Sequence, residues 1–146
     1  MDLTERNILL VEDSPEDAEA LIRAFRRAGI ANPIVHLADG DLALAYFRDL
    51  GSAPRPVLVL LDLNLPGTDG RDVLTRLKSA EATRDIPVLV LTSSANERDV
   101  AACYRSGANS YLQKPVAFAD LLRTAEAILG YWFQTVLVPA AKEAAP

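Results

Sequence analysis

The feature that most constrains the fold is an unbroken apolar run, residues 57–61, which ends at a carboxylate, Asp62. Five consecutive apolar residues, two of them β-branched, are typical of a strand buried on both faces, as the strands of parallel sheets are. Pro66 and Gly67 then turn the chain away. A carboxylate at the tip of a central strand is costly unless water, a cation or hydrogen bonds surround it. Taken alone, Asp62 is interpreted as a turn or capping residue. The other residues of the chain favour a functional role instead.

Length and composition narrow the class of protein. A chain of 146 residues suits one domain with a normal core. Its apolar runs are of strand length, and residues 1–6 lack the basic and apolar regions of a signal peptide, so we expect a cytoplasmic protein without a membrane partner. The single cysteine, Cys103, offers neither a disulfide framework nor zinc spacing. Twenty acidic and fifteen basic residues give a net charge of −5, so we expect no nucleic acid partner.

Five apolar segments alternate with five helical ones, which predicts an α/β fold. The alternation implies right-handed crossovers and a doubly wound parallel sheet covered on both faces. We predict the strand order 2-1-3-4-5, because the first and third strands carry acids and ligands bind where the strand order reverses. The strands are predicted at residues 7–11, 34–37, 57–61, 86–91 and 109–113, within one domain of residues 7–130 that comes after a lead of residues 1–6.

Local signals mark the helix starts and suggest a role for the only histidine. Ser14 and Asp17 fit a capping box, in which each residue would satisfy a free backbone N–H of the other. Ser94 and Glu97 fit a second capping box. His36 lies inside the second predicted strand and is interpreted as a packing residue rather than a metal ligand.

Polar residues come directly after four of the predicted strands, all at the same end of the sheet. Each has a simpler interpretation as a loop acid, a strand end or a solvated lysine. Their joint placement favours a single site. Three carboxylates held together raise one another's pKa values unless a cation enters, and all-oxygen ligands with few protein contacts favour Mg²⁺ over Ca²⁺. The residues are Glu12 and Asp13 after the first strand, Asp62 after the third, Thr92 after the fourth and Lys114 after the fifth.

A metal at this position would give Asp62 a route to phosphoryl transfer. Carboxylates can act as covalent nucleophiles toward phosphorus. Mg²⁺ and Lys114 would offset the charge on the phosphoryl oxygens, and the Thr92 hydroxyl would donate a hydrogen bond to them. A phosphoryl group adds charge at a packed sheet edge, which suits a switch.

The pattern Glu12-Asp13, Asp62, Thr92 and Lys114-Pro115 resembles the receiver domain of two-component response regulators (CheY-like). The resemblance implies a flavodoxin-like fold in which Asp62 accepts a phosphoryl group from a phosphohistidine of a sensor histidine kinase. The resulting chemistry is self-modification within a phosphorelay, so we do not expect an enzyme acting on a separate substrate. Because the domain uses nearly the whole sequence and no output domain comes after it, we expect a stand-alone regulator.

The resemblance also implies the roles of individual residues. Glu12 and Asp13 would hold Mg²⁺ together with Asp62 and the backbone carbonyl of Asn64. Thr92 and Lys114 would bind the phosphoryl oxygens, and the Lys114–Pro115 peptide bond would be cis.

Three further positions have roles implied by the same resemblance. Tyr111 matches the aromatic residue that moves inward when Thr92 shifts. Asn64 and Ser94 match the positions that tune the lifetime of the phosphoryl group.

A narrower resemblance concerns the pathway. Residues 62–67 with 69–71, Cys103-Tyr104, residues 107–109 and Tyr131-Trp132 are similar to single-domain regulators that are paired with bacterial phytochrome kinases. The partner kinase would then be a bacteriophytochrome, and the signal would be light.

Residues 131–146 keep presenting large apolar groups after the core should be complete. A monomer seldom exposes so much contiguous apolar surface. Either this extension folds back on its own domain, or it forms a self-complementary patch together with the last helix. We favour the second interpretation and predict a C2 homodimer, with a frayed end at residues 140–146.

Three other functions fit parts of the sequence. A Mg²⁺-dependent phosphatase of the haloacid dehalogenase type also uses a strand-end aspartate, but it carries a second aspartate where this chain has Asn64. A nucleotide- or flavin-binding module needs a glycine-rich phosphate loop, whereas the acids in residues 12–17 would repel phosphate. A pseudo-receiver that serves only as a scaffold is disfavoured because no pocket residue is missing.

Overall fold

The computed structural model describes residues 2–142. It contains five strands that alternate with five helices, as the sequence predicts. A 3₁₀ turn, Leu3–Glu5, precedes the first strand, and a π-helical turn, Leu129–Phe133, continues the last helix. In chain order the elements are β1 (Ile8–Val11), α1 (Pro15–Ala28), β2 (Ile34–Leu37), α2 (Gly40–Arg48), β3 (Leu58–Leu61), α3 (Gly70–Ser79), β4 (Val88–Thr92), α4 (Glu97–Arg105), β5 (Ser110–Gln113) and α5 (Phe118–Ile128).

The strands form one parallel sheet in the order β2-β1-β3-β4-β5. This confirms the predicted α/β class and strand order. The four residues of β1 and of β3 are all buried, as expected for strands covered on both faces. One apolar layer packs the sheet against α1 and α5, and the other packs it against α2, α3 and α4. The strand order reverses between β1 and β3, so a crevice opens at their carboxyl ends.

The helix starts agree only in part with the predicted capping boxes. The Ser14 hydroxyl accepts a hydrogen bond from the backbone N–H of Asp17 at 3.2 Å, but the Asp17 carboxylate contacts Lys114 instead of returning to Ser14. The second capping box is wrong, because the residue that caps α4 is Asn96. The Ser94 hydroxyl instead donates a hydrogen bond to the carboxylate of Asp99 at 2.9 Å.

The chain after α5 folds back along its own domain. Arg6 donates a hydrogen bond from Nη1 to the backbone oxygen of Pro139 at 2.8 Å. Arg55 donates from Nη2 to the backbone oxygen of Ala140 at 3.0 Å, and its backbone N–H donates to that of Ala141 at 2.6 Å. Both arginine residues are buried. Two residues of the segment that is predicted to be frayed, Ala140 and Ala141, thus have hydrogen-bond partners for their backbone oxygens.

The apolar residues of the extension divide into two groups. Trp132, Phe133 and Val138 pack against the core, whereas Tyr131 is half exposed and Leu137 is fully exposed. The fold-back interpretation thus applies to part of the extension, and an apolar surface remains on the rest. The predicted fraying of residues 143–146 lies outside the described residues.

Within residues 2–142, no helix combines the length and apolar content that crossing a membrane requires.

Gly70 allows the loop after β3 to approach the first turn of α3. A Cβ atom at this position would lie 2.1 Å from the backbone oxygen of Asp62 and 2.6 Å from the Cα atom of Leu63. Because both obstacles are backbone atoms, we expect Gly70→Ala to lower the free energy of unfolding by about 2 kcal/mol. Equilibrium denaturation in urea measures this loss.

Gly130→Ala provides the control, since a Cβ at that position would meet no neighbouring atom within 4 Å in the part of the chain that the structure describes. We expect it to leave the stability unchanged or slightly raised. Equal stabilities for the two variants would contradict the proposed crowding at Gly70.

Candidate functional site

Three carboxylates meet at the crevice between β1 and β3. Glu12 and Asp13 come after β1, and Asp62 comes after β3. Each offers an oxygen atom within 4.8 Å of the others. Glu12 is 4% exposed and Asp62 is 7% exposed, whereas Asp13 faces solvent. Two of the three carboxylates therefore need compensation from the protein or from a ligand.

Asp62 is held by hydrogen bonds at one of its oxygen atoms. The Thr92 hydroxyl donates to Asp62 Oδ1 at 2.9 Å, and the backbone N–H of Asn64 donates to the same oxygen at 3.2 Å. The other oxygen, Oδ2, lies 3.3 Å from Lys114 Nζ. Thr92 is fully buried, so its hydroxyl has a fixed environment. The carboxylate of Asp62 is thus oriented by residues at the ends of three different strands.

Lys114 Nζ bridges the acids of the site. It donates to Glu12 Oε1, to Asp17 Oδ2 at 3.0 Å and to Asp62 Oδ2. Burial alone would lower the pKa of Lys114, but the hydrogen bonds to Glu12 and Asp17 outweigh burial and raise that pKa above its usual value. Lys114 is therefore charged throughout the physiological range.

The electrostatics of the crevice favour a further cation. Burial raises the pKa of Glu12, and the charge of Asp62 adds to that effect, while the hydrogen bond from Lys114 opposes it. One ammonium group faces Glu12, Asp17 and Asp62, with Asp13 beside them. Carboxylate oxygens at this spacing are suitable ligands for a hard divalent cation. The donor set thus fits the metal that the sequence predicts.

The two predicted switch residues bracket the loop between β4 and α4. Thr92 ends β4 and contacts Asp62. Tyr111 lies on β5, and its hydroxyl donates to the backbone oxygen of Ser94 at 2.9 Å. Burial raises the pKa of Tyr111. The loop that carries Ser94 is therefore in contact with both residues.

Two sequence-based expectations near the site are wrong. Among residues 2–142 no peptide bond is cis, so the Lys114–Pro115 bond is trans. The trans form is the one that prolyl bonds ordinarily prefer, and in it the side chain of Lys114 reaches all three of its acidic partners. His36 is exposed rather than packed, because β2 is an edge strand, and its Nε2 lies 2.7 Å from the backbone oxygen of Glu12.

Asp17 is a site residue that the sequence analysis interpreted only as part of a helix cap. It lies in the first turn of α1, and its carboxylate reaches the ammonium group of Lys114. Its place in the first turn of the helix that comes directly after Glu12 and Asp13 is the available signal. That signal is weak, since an acid in the first turn of a helix is common for reasons of the helix dipole alone.

The geometry agrees with a comparison against known families. The profile of the response regulator receiver domain matches residues 8–126. The chain belongs to this family. The match covers most of the sequence and includes the strands and the crevice just described.

Individual members of the family are similar to the chain over nearly its whole length. Response regulator Rcp1 of Synechocystis sp. is 42% identical over 137 residues, which cover 92% of this chain and 93% of Rcp1. The probable methanogenesis regulatory protein FilR2 of Methanothrix harundinacea is 47% identical over 127 residues, which cover 86% of this chain and 82% of FilR2.

Solved structures confirm the CheY-like, flavodoxin-like fold. The Mn²⁺-bound form of Rcp1 has a TM-score of 0.84 at 41% identity, and the match covers 92% of this chain and 99% of that one. The phosphorylated cyanobacterial phytochrome response regulator RcpA has a TM-score of 0.86 at 36% identity, with coverages of 93% and 99%. The predicted relationship to receiver domains, and to single-domain regulators of the phytochrome type, is thereby confirmed.

A divalent cation should stabilise the folded receiver domain, because the carboxylate cluster exists only in the folded chain. We expect millimolar Mg²⁺ to raise the free energy of unfolding by about 1–3 kcal/mol and the melting temperature accordingly. Asp13→Asn removes one carboxylate of the cluster and should diminish this response. Differential scanning calorimetry with and without Mg²⁺ measures it.

Asp17→Asn is the matched control, since the Asp17 carboxylate contacts Lys114 but is not one of the three clustered groups. This variant should retain most of the response to Mg²⁺. A response that is the same in wild type and Asp13→Asn would contradict the cation site.

Proposed function

We propose that the chain is a phosphorylation-dependent switch in which Asp62 accepts a phosphoryl group from a sensor histidine kinase. Membership of the receiver family supports this, because receiver domains are phosphorylated by histidine kinases. The single observation that carries the proposal is the set of contacts on Asp62. A buried carboxylate that meets Thr92 at one oxygen and Lys114 at the other has a hydrogen-bond donor and a cation where a phosphoryl group would need them.

In the proposed reaction, a carboxylate oxygen of Asp62 attacks the phosphorus of a phosphohistidine. The new O–P bond forms as the N–P bond breaks, and the departing imidazole takes up a proton. Lys114 stays charged and balances the negative charge of the phosphoryl oxygens. The Thr92 hydroxyl turns from the carboxylate to a phosphoryl oxygen. The chain modifies only itself, which distinguishes it from an enzyme acting on a separate substrate.

The proposed metal site consists of Glu12, Asp13, Asp62 and the backbone carbonyl of Asn64. When bound, Mg²⁺ would neutralise charge that builds up between the attacking carboxylate and the transferred group. The first three residues have their carboxylate oxygens close together. Rcp1, which is similar over most of its length, has a Mn²⁺-bound form, and this supports a divalent cation here.

Phosphorylation would be read out through the loop after β4. Movement of Thr92 toward the phosphoryl group displaces this loop, and Tyr111 moves with it because its hydroxyl is bonded to the Ser94 backbone. Ser94 and Asn64 flank the site, and we propose that they tune the lifetime of the phosphoryl group. Asn64 is exposed, so its side chain can meet an approaching water or partner.

The similarity to the phytochrome response regulator RcpA supports a bacteriophytochrome as the partner kinase. The chain would then act in light signalling. The comparable identity to FilR2, which is named for methanogenesis, supports a different input with the same receiver chemistry. We favour the phytochrome pathway because RcpA, whose match covers 93% of this chain, is a phytochrome response regulator.

A Mg²⁺-dependent phosphatase with Asp62 as nucleophile is the second candidate. It would use the same carboxylate and the same cation. Asn64 disfavours it, because an amide cannot serve as the acid–base group that such an enzyme needs two residues after its nucleophile. The backbone N–H of Asn64 is also already committed to Asp62.

We expect acetyl phosphate and Mg²⁺ to phosphorylate the protein at Asp62 alone. Mass spectrometry of the intact protein would show one added phosphoryl group, and borohydride trapping with subsequent peptide mapping would locate it. Asp62→Asn should abolish the modification.

Asp49→Asn is the control, since Asp49 is an exposed carboxylate at the end of α2, paired with Arg48. This variant should be modified as fully as wild type. Modification at another residue in wild type would refute the proposed acceptor, and steady hydrolysis of a phosphate ester would favour the phosphatase.

We also propose that the protein forms a homodimer through α5 and the C-terminal extension. The exposed side chains of Tyr131 and Leu137 lie on this surface, beside residues that already pack on the core. Replacing Leu137 with glutamate should convert the dimer to a monomer, because it places a charge in an apolar interface. Size-exclusion chromatography with light scattering measures the mass.

Leu42→Glu is the matched control, because Leu42 is an exposed leucine on α2, a helix that is not part of the proposed interface. It should remain a dimer. A monomeric wild-type protein at micromolar concentration would contradict the proposed interface.

A further inference from the structure

A bidentate ion pair joins α3 to α4 outside the carboxylate cluster. Arg71 donates from Nε to Asp99 Oδ1 and from Nη2 to Asp99 Oδ2, both at 3.0 Å. Its third nitrogen, Nη1, contacts the two oxygens of Asp69 at 3.2 and 3.3 Å. A planar guanidinium that matches a carboxylate with two parallel hydrogen bonds fixes both partners more strongly than a single contact does.

Asp99 passes this restraint to the loop between β4 and α4. Its Oδ2 also accepts a hydrogen bond from the Ser94 hydroxyl at 2.9 Å. The Ser94 hydroxyl in turn accepts from the backbone N–H of Asn96, the residue that caps α4. The loop is thus attached through the Ser94 side chain to the pair formed by α3 and α4.

The backbone of Ser94 faces the switch residue. Tyr111 donates its hydroxyl proton to the Ser94 backbone oxygen at 2.9 Å, and its own backbone N–H donates to the Tyr104 hydroxyl on α4 at 3.1 Å. Ser94 stands two residues after Thr92, which contacts Asp62. Ser94 is therefore held on its side chain by Asp99 and on its backbone by Tyr111.

Charge keeps this network intact at neutral pH. The hydrogen bonds from Arg71 and then from Ser94 lower the pKa of Asp99, and those to Asp99 and Asp69 raise the pKa of Arg71. The pair Arg48–Asp49 makes a useful contrast, with one contact and side chains 75% and 70% exposed. In the Arg71–Asp99 pair the corresponding values are 39% and 23%, so solvent screens it less.

We propose that Arg71 is a positioning residue that acts through Asp99 on Ser94 and the loop after β4. In the position so fixed, Thr92 donates its hydrogen bond to Asp62, and Tyr111 donates its hydrogen bond to the backbone oxygen of Ser94. The proposal rests on the proposed function and deepens it, because it names a group that sets the resting balance of the switch. Breaking the ion pair frees Ser94 on its side-chain face. The hydrogen bond from Thr92 to Asp62 is then formed for a smaller fraction of the time, and the backbone oxygen that accepts from the Tyr111 hydroxyl is no longer held in a fixed position.

The test compares wild type with Arg71→Gln, Asp99→Asn and the double variant. The rate of phosphorylation by acetyl phosphate should fall about fivefold in each, which corresponds to about 1 kcal/mol. Because the two residues act as one unit, the double variant should be no slower than the single ones. Arg71→Gln keeps the backbone N–H that the Asp69 cap of α3 uses, so the helix start is preserved.

A second readout does not depend on phosphorylation. The four tyrosines are labelled as 3-fluorotyrosine, and the ¹⁹F signal of Tyr111 is assigned by its loss in Tyr111→Phe. In Arg71→Gln and Asp99→Asn this signal should shift toward that of a solvent-exposed ring, with thermal melts verifying the fold. Arg48→Gln, which breaks the exposed pair on α2, should change neither the rate nor the signal.

The outcomes separate the inference from the function. Absence of phosphorylation in wild type would refute the proposed function, while the ¹⁹F signal still tests the positioning role. Normal phosphorylation of wild type with unchanged rates and signals in the Arg71 and Asp99 variants would overturn the inference alone. Additive losses in the double variant would also overturn it, because they would mean that the two residues act separately.

Discussion

One ammonium group among four carboxylates is the interaction on which the site depends. Lys114 contacts Glu12, Asp17 and Asp62, and Asp13 lies beside them. Removing one partner of a buried charge pair is far more costly than the pair is favourable, so Lys114 makes the crowded acids tolerable in the folded chain. It does not neutralise them. The excess negative charge that remains is the physical reason for a cation site, and its position between two strand ends is the reason why a phosphoryl group would fit beside it.

The sheet supplies the alignment that this interaction requires. In the register between β1 and β3, Val11 is paired with Leu61, so the next residues, Glu12 and Asp62, emerge level with each other. Thr92 ends the next strand and is paired with Gln113 of β5, which brings Lys114 to the same edge. Each group comes from a separate strand, and none could reach the others if the strand order were different. The chemistry of the crevice is therefore a property of topology as much as of residue type.

The fold and the proximity of the main site residues could be predicted because both depend on the pattern of apolar segments along the sequence. Apolar runs define parallel strands, and the residues directly after each strand lie at a common edge. Contacts between side chains on helices and loops carry no such signal. The link from Asp17 to Lys114 and the pair Arg71–Asp99 depend on how neighbouring elements pack in three dimensions. His36 is a different case, since the predicted strand order already places β2 at an edge of the sheet. The interpretation of His36 as a packing residue did not take this position into account.

The way in which the C-terminal extension is held has a consequence for how it can vary. The side chains of Arg6 and Arg55 donate to the backbone oxygens of Pro139 and Ala140, and the backbone N–H of Arg55 donates to that of Ala141. No side chain of the extension takes part in these bonds. Every amino acid offers the same carbonyl group. Attachment of this kind does not depend on which amino acids the extension contains. Related proteins could therefore keep this arrangement even where the sequences of their C-terminal extensions no longer align. The two buried arginine residues would then identify the shared arrangement better than the sequence of the extension does.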